Sequence, residues 1–179
     1  MTTHNDDDLL QLFKTEGQKE NAFLLVVQKY QEKLYWHVRK IVITHEDADD
    51  IIQNTLIKVW KNLEKFNAHS SLYTWLYKIA TNEALSYLKT KKKNSIVNYE
   101  EFLSTTLAGD EYFDGDKLML KLQQAVLSLP ERQRLVFNMK YFDEMKYEEI
   151  AEILDISIGA LKASYHHARK KIELYFEED

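Results

Sequence analysis

A chain of 179 residues with a formal net charge of −5 has room for one domain or two small ones, and it is too acidic to coat nucleic acid indiscriminately. The absence of cysteine excludes disulfides, zinc-thiolate sites and thiol nucleophiles, and it fits a reducing compartment. The opening MTTHNDDD has no basic-then-apolar leader and no apolar run approaches the roughly 18 residues of a membrane span, so a soluble, cytoplasmic protein without membrane insertion is expected.

One proline and four glycines leave little material for tight hairpins, while Leu, Lys, Glu and Ala fill long periodic runs; the fold class is therefore all-α. Asp6, Asp7 and Asp8 ahead of Leu9, Leu10, Leu12 and Phe13 predict a short helix with acids at its positive end, stopped near Gly17. From Lys19 to Ile43 the stripe Phe23, Val26, Val27, Tyr30, Leu34 and Val38 predicts a long amphipathic core helix. Thr44 is the expected N-cap of the next helix. Its inward face is Ala48, Ile51, Ile52, Thr55, Leu56, Val59, Trp60 and Leu63, which leaves Asp49, Asp50, Gln53, Asn54, Ile57 and Lys61 as an outward polar band.

Phe66 and the loop NAHSS follow, with Ser70 or Ser71 placed to cap the helix beginning LYTWLYKIATN. Leu72, Leu76, Ile79, Ala80, Glu83 and Tyr87 form its mostly apolar inward face. Another face carries Tyr73, Tyr77 or Lys78, Asn82 and Lys89, and the helix leaves through Lys91, Lys92 and Lys93. Aromatic rings beside lysines suit unstacked bases and their phosphates, at about 1–3 kcal/mol per stacked base. The same residues also fit ordinary core and a solvated helix end.

Periodicity fades after Lys93. Residues 95–115 hold carboxylates and no Lys or Arg, which predicts an acidic linker whose apolar residues Tyr99, Phe102, Leu103 and Leu107 have room to dock. Leu118, Leu120, Leu122, Ala125, Val126 and Leu129 mark another helix, and Pro130 suits the first turn of the next. In KYEEIAEILDISIGALKASYHHARKKI, Ile150 and Ala151, then Leu154 and Ile156 around a turn, Ser157 as cap and Leu161 beyond it predict a helix-turn-helix. The exposed face of its second helix is Lys162, Ala163, His166, His167 and Lys170. The stretch 157–171 contains basic residues and no Asp or Glu.

Asp47, Asp49 and Asp50 also raise a magnesium-dependent diphosphate enzyme, but no second acidic cluster faces them, and 179 residues are few for a helical barrel. His166 and His167 are adjacent, so they point about 100° apart on a helix and do not form a metal pair. No metal and no cofactor is expected, and no catalytic residue is assigned.

With both halves placed, the chain resembles the bacterial RNA polymerase sigma factors of the extracytoplasmic-function class. The resemblance rests on DADDIIQ at Asp47–Gln53, WLYKIATN at Trp75–Asn82, LPERQR at Leu129–Arg134 and the helix-turn-helix. It implies a region 2-like domain over 1–94, a linker over 95–115 and a region 4-like domain over 116–179. It implies core-polymerase contacts at Asp47, Asp50, Gln53 and Asn54, where Asn54 departs from the acid common in the family. It further implies −10 contacts at Phe66, Asn67, Ser70, Ser71, Leu72, Lys78 and Asn82, with a flipped non-template base held in the loop, and −35 contacts at Lys162, Ala163, His166, His167 and Lys170. ALKAS at Ala160–Ser164 lacks the hydroxyl and arginine of the common T-V-K-S-R, so readout of guanine by arginine is not available at Ser164. The implied partners are core RNA polymerase, through the clamp helices of its largest subunit and the flap of the second-largest, and promoter DNA. An anti-sigma factor or another recruiting protein is compatible with the resemblance. A stand-alone helix-turn-helix regulator is the alternative, and it leaves Gln53 and WLYKIATN unexplained.

Overall fold

The computed structural model describes the backbone of residues 5–94 and 117–177, and the side chains of all of these except 92–94. The expected linker over 95–115 lies outside the described residues. Among the described residues there is no strand, and the all-α expectation holds.

Helices α1 (Asp6–Lys14), α2 (Lys19–Val42), α3 (His45–Asn62) and α4 (Leu72–Asn94) build the N-terminal unit. Local chemistry fixes their ends. Asn5 caps α1 by accepting from the Asp8 amide at 2.8 Å, Thr44 caps α3 through the Asp47 amide at 3.2 Å, and Ser71 caps α4 through the Thr74 amide at 3.0 Å. Gly17 takes φ +75° between α1 and α2, a conformation that only glycine adopts without a steric penalty. The core comes from the expected stripes: Val26, Tyr30, Leu34 and Val38 of α2 pack against Ile51, Ile52 and Val59 of α3 and Leu72, Leu76, Ala80 and Ala84 of α4. Trp60 departs from its expected inward place, lying exposed at the rim with its ring edge-on to Phe13 and Phe23.

The C-terminal unit comprises α5 (Lys117–Leu127), α6 (Glu131–Phe137), α7 (Tyr147–Leu154) and α8 (Ile158–Glu177). Pro130 sits one position ahead of α6, with an extended ψ of 141°. Leu118, one of the apolar residues that mark this helix, is 70% exposed. Ala125, Val126, Leu129, Phe137, Ala168 and Ile172 form a small core of this unit. The helix-turn-helix pattern is met: Ile150, Ile153 and Leu161 are buried, Ser157 caps α8 through the Ala160 amide at 3.3 Å, and Asp155 makes the turn at φ 55°. Sequence periodicity gave no sign of the π-helical segment Asn138–Phe142, which closes α6 with one extra residue per turn.

The two units do not stand apart. α7 packs on α4, the π-helical segment reaches α2, and Leu135, Val136, Met139 and Met145 join the same hydrophobic cluster as α2, α3 and α4.

Candidate nucleic-acid interface

Three surfaces carry the residues singled out from the sequence. On α3, Asp50, Gln53 and Asn54 point outward as expected, beside Ile57, which is 51% exposed. Asp49 and Gln53 also line an open groove of about 440 Å³ between α3 and α2, with Gln28, Gln31 and Tyr35 on its far wall. A groove with amides and carboxylates at its edges and aliphatic carbon at its floor suits a polar or basic helix.

Asp47 does not belong to that face, and its place is a correction. It is 9% exposed, accepts from the Tyr87 hydroxyl and from the Lys91 ammonium at 2.6 Å, and so ties the start of α3 to the end of α4. Burial works against its charge, but the hydrogen bonds from Lys91, Thr44 and Tyr87 outweigh burial and hold its pKa below the ordinary carboxylate range. An acid at the third position of a helix turns inward when the neighbouring helix presents a cation and a hydroxyl.

The second surface is the loop before α4 with the outer edge of that helix. Asn67 and Ser71 are exposed, Ser70 is half-buried, and Ala68 takes φ 55°. Phe66 and Leu72, to which the resemblance assigned DNA contacts, are buried at 8% and 2% exposure, Leu72 on the inward apolar stripe that the helical spacing predicted. Phe66 packs under Trp75 with ring centroids 5.1 Å apart, so both residues shape the loop from beneath. Ser71, Trp75, Lys78 and Asn82 follow one another at four, three and four positions and form one stripe, with Trp75 and Lys78 half-buried and Asn82 exposed. Trp75 is thus the aromatic ring available on this stripe, a role that the spacing with Ser71 and Asn82 would have revealed.

On the tyrosine face of α4 the core reading holds. The rings of Tyr73 and Tyr77 are 4.3 Å apart and tilted by 39°, Tyr77 is buried, and the helix that carries them is the one on which α7 of the C-terminal unit docks. Burial, with the negative charges of Asp143 and Glu149, pushes the Tyr73 hydroxyl up to about 12 despite its hydrogen bond with Tyr77; burial pushes Tyr77 higher still.

The third surface is the outer face of α8, where Lys162, Ala163, His166, His167 and Lys170 are all exposed while Leu161, Ala168 and Ile172 anchor the helix from behind. Lys162 lies 5.8 Å from the centre of the Tyr147 ring. Arg169 pairs with Glu173 at 3.2 Å along the helix. The N-terminal half of this helix carries Lys162 and no carboxylate and is held across a tight turn, the part of such a motif that enters a major groove. Among the described residues no group of acidic or histidine side chains is arranged to hold a metal ion, and no helix is long and apolar enough to cross a membrane.

A polar outward band, an aromatic-and-amide stripe and a helix-turn-helix on one chain are surfaces suited to a protein partner and to DNA. The Sigma-70 region 2 family model matches residues 26–94 and the Sigma-70, region 4 model matches residues 119–172, so the chain belongs to the sigma-70 family. Within that family its relatives are of the ECF group. It is 34% identical over 166 residues to the ECF RNA polymerase sigma-E factor of Escherichia coli (strain K12), covering 86% of each chain. It is 28% identical over 164 residues to the ECF RNA polymerase sigma factor SigW of Bacillus subtilis (strain 168), covering 86% of this chain and 88% of that one. Among solved structures, the fold matches CnrH, determined in complex with the cytosolic domain of CnrY, at a TM-score of 0.71 and 21% identity over 97% of this chain and 98% of that one. It also matches the sigma factor RpoE of Bartonella quintana, determined with the anti-sigma factor NepR, at a TM-score of 0.69 and 22% identity over 88% and 98% of the two chains.

Proposed function

We propose that this sigma factor divides its work among the three surfaces in a cytoplasmic setting and performs no catalysis of its own. Asp50, Gln53 and Asn54, with Ile57 and the groove beside them, receive the clamp helices of the polymerase largest subunit. Asn67, Ser70, Ser71, Trp75, Lys78 and Asn82 hold the non-template strand of the −10 element, while Phe66 and Leu72 keep the loop in shape. Lys162, Ala163, His166, His167 and Lys170 meet the −35 duplex, and the C-terminal unit as a whole reaches the polymerase flap. Residues 1–94 and 116–179 act as the two functional domains. CnrH and RpoE form complexes with a second protein, and an anti-sigma partner for this chain is part of the same reading.

The observation that carries the proposal is the stripe on α4. An indole, an ammonium and an amide on one helix edge offer stacking, charge and hydrogen bonding together; a duplex phosphate uses the last two, but only an unstacked base presents its face to the indole. Unstacking and unpairing a base costs a few kcal/mol, and capture returns part of it, so binding favours the melted promoter. Lys78→Ala combined with Asn82→Ala therefore lowers permanganate reactivity of promoter thymines on duplex templates, with transcript yield largely restored on a template carrying a pre-melted bubble. Equal opening by the double variant and the parent on duplex DNA removes the base-capture role.

A further inference from the structure

The surface around the loop before α4 carries an uneven charge. From Lys65 to Asn82 the chain contains no Asp or Glu. The carboxylates that bracket this stretch are both taken: Glu64 pairs with Lys19 at 3.1 Å, and Glu83 pairs with Lys58. Exposed Lys65 precedes the loop, and half-buried Lys78 lies on the stripe beyond it. Between these two lysines in the chain, in the exposed part of the loop, stands His69, an imidazole outside the contacts proposed above.

The loop holds that side chain in the open. Its two ends are anchored in the core, Phe66 against Trp75 and Leu72 on the inward face of α4, while Ser71 fixes the start of the helix through the Thr74 amide. Between the anchors Asn67, Ala68 and His69 are exposed in succession, and Ala68 takes φ 55°, a left-handed conformation that a residue with a Cβ adopts only at a cost. His69 makes no hydrogen bond, ion pair or ring contact with any other described residue.

The charge state of an imidazole near neutral pH follows its neighbours. The charged groups on the elements that border this loop are Lys19 and Glu20 at the start of α2, Lys61 at the end of α3, Glu64 and Lys65 on the 3-10 turn Leu63–Lys65, and Lys78 on α4. Cations predominate, and Glu64 is already bridged to Lys19. Like charges disfavour a proton on the ring, whereas a phosphate beside it favours one. The loop and the stripe offer no such anion of their own, but a nucleic-acid strand laid over them does. We propose that His69 is a further strand-binding residue, which meets a phosphate of the captured strand as an imidazolium, so that strand capture takes up a proton. This rests on the base-capture reading above and adds to it a residue and an ionisation.

A ligand that prefers the protonated ring binds more tightly as pH falls through the range where imidazoles ionise. In the test, core polymerase loaded with the chain is titrated with a labelled single-stranded DNA that carries the non-template −10 sequence of a promoter found by run-off transcription and no −35 duplex. The parent binds this strand about three- to fivefold more tightly at about pH 6 than at about pH 8, the scale of one exposed ion pair. His69→Asn removes the pH dependence and stays at the weak level. His69→Lys also removes it but stays at the tight level, because an ammonium keeps its charge throughout that range. His45→Gln, which alters an exposed imidazole at the start of α3, keeps the parent's dependence. Circular dichroism melts of the His69 variants match the parent, since the side chain is exposed. A parent whose affinity is the same at both pH values, or a His69→Asn chain that retains the parent's dependence, overturns the proposal. Strand binding that is strong but indifferent to pH leaves the base-capture reading standing and removes only the role of His69, whereas failure of every loaded polymerase to bind the strand at either pH contradicts that reading and takes the proposal with it.

Discussion

Replacing Asp47 separates two roles that lie on one short stretch of α3. Its carboxylate accepts from the Lys91 ammonium at 2.6 Å and from the Tyr87 hydroxyl. Hydrogen bonds to a charged group contribute about 1.5–3 kcal/mol each, but the Lys91 side chain is 32% exposed and solvent screens the pair, so about 1 kcal/mol for each contact is the appropriate scale. Asp47→Ala thus destabilises the fold by about 2 kcal/mol, a factor of about 30 in the folding equilibrium. For a chain of this size that lowers Tm by about 4–8 °C. Asp50→Ala with Gln53→Ala behaves in the opposite way: both side chains are exposed, so Tm stays within about a degree, while affinity for core polymerase falls by about 10–100-fold if each contributes as an interface anchor. Differential scanning fluorimetry and a polymerase-binding titration at a temperature where all variants are folded read the two effects side by side. An Asp47→Ala chain that keeps its Tm, or that loses polymerase affinity as strongly as the double variant, refutes the assignment of Asp47 to the interior.

Ser71→Ala removes the Thr74 amide's acceptor at the start of α4, so it costs about 1 kcal/mol of stability by thermal melt in addition to any effect on promoter opening. Lys162→Ala and Lys170→Ala each reduce the slope of log affinity against log salt by about 0.9 for upstream promoter DNA; titrations that superimpose on the parent place this helix off the phosphates. Asp143 is held below the ordinary carboxylate range, its burial being outweighed by the hydrogen bond and charge of His37 and the charge of Lys40. A depressed folded-state pKa adds stability that is complete above the unfolded value near 4 and fades as pH falls below it through the lowered value; acid unfolding of Asp143→Asn therefore begins from lower stability and shows a shallower dependence over that range than the parent.

What could be read from the sequence was what depends on near neighbours. Thr44, Ser71 and Ser157 cap the helices they precede, because a hydroxyl ahead of an apolar run finds an amide three residues on whatever else the chain does. The helix-turn-helix was legible for the same reason, since Ile150 and Leu161 are buried on either side of a three-residue turn with Ala151, Leu154 and Ile156 half-buried. Asp50, Gln53 and Asn54 were placed outward by the apolar stripe on the other side of α3. Tyr73 and Tyr77 were left open between base stacking and core, because a helix can bury two faces and the second is settled only by packing with α7, some seventy residues further along the chain. Phe66 and Leu72 were given DNA contacts by the family resemblance, although helical spacing already placed Leu72 inward; an apolar side chain at a loop-to-helix junction gains more by packing inward, as Phe66 does against Trp75. The His37–Asp143 contact has no periodic signature at all; it depends on one extra residue in a π-helical turn and on the docking of two units.

The central claim, that this chain gives core RNA polymerase its promoter choice, is tested most directly by run-off transcription on genomic fragments with core polymerase alone, with the chain alone and with both. Discrete transcripts are expected only when both are present, with open complexes detected by permanganate at the same start sites. Sequence-specific binding of the chain to duplex DNA without polymerase, together with no transcript from the combination, would contradict it and leave a stand-alone DNA-binding regulator.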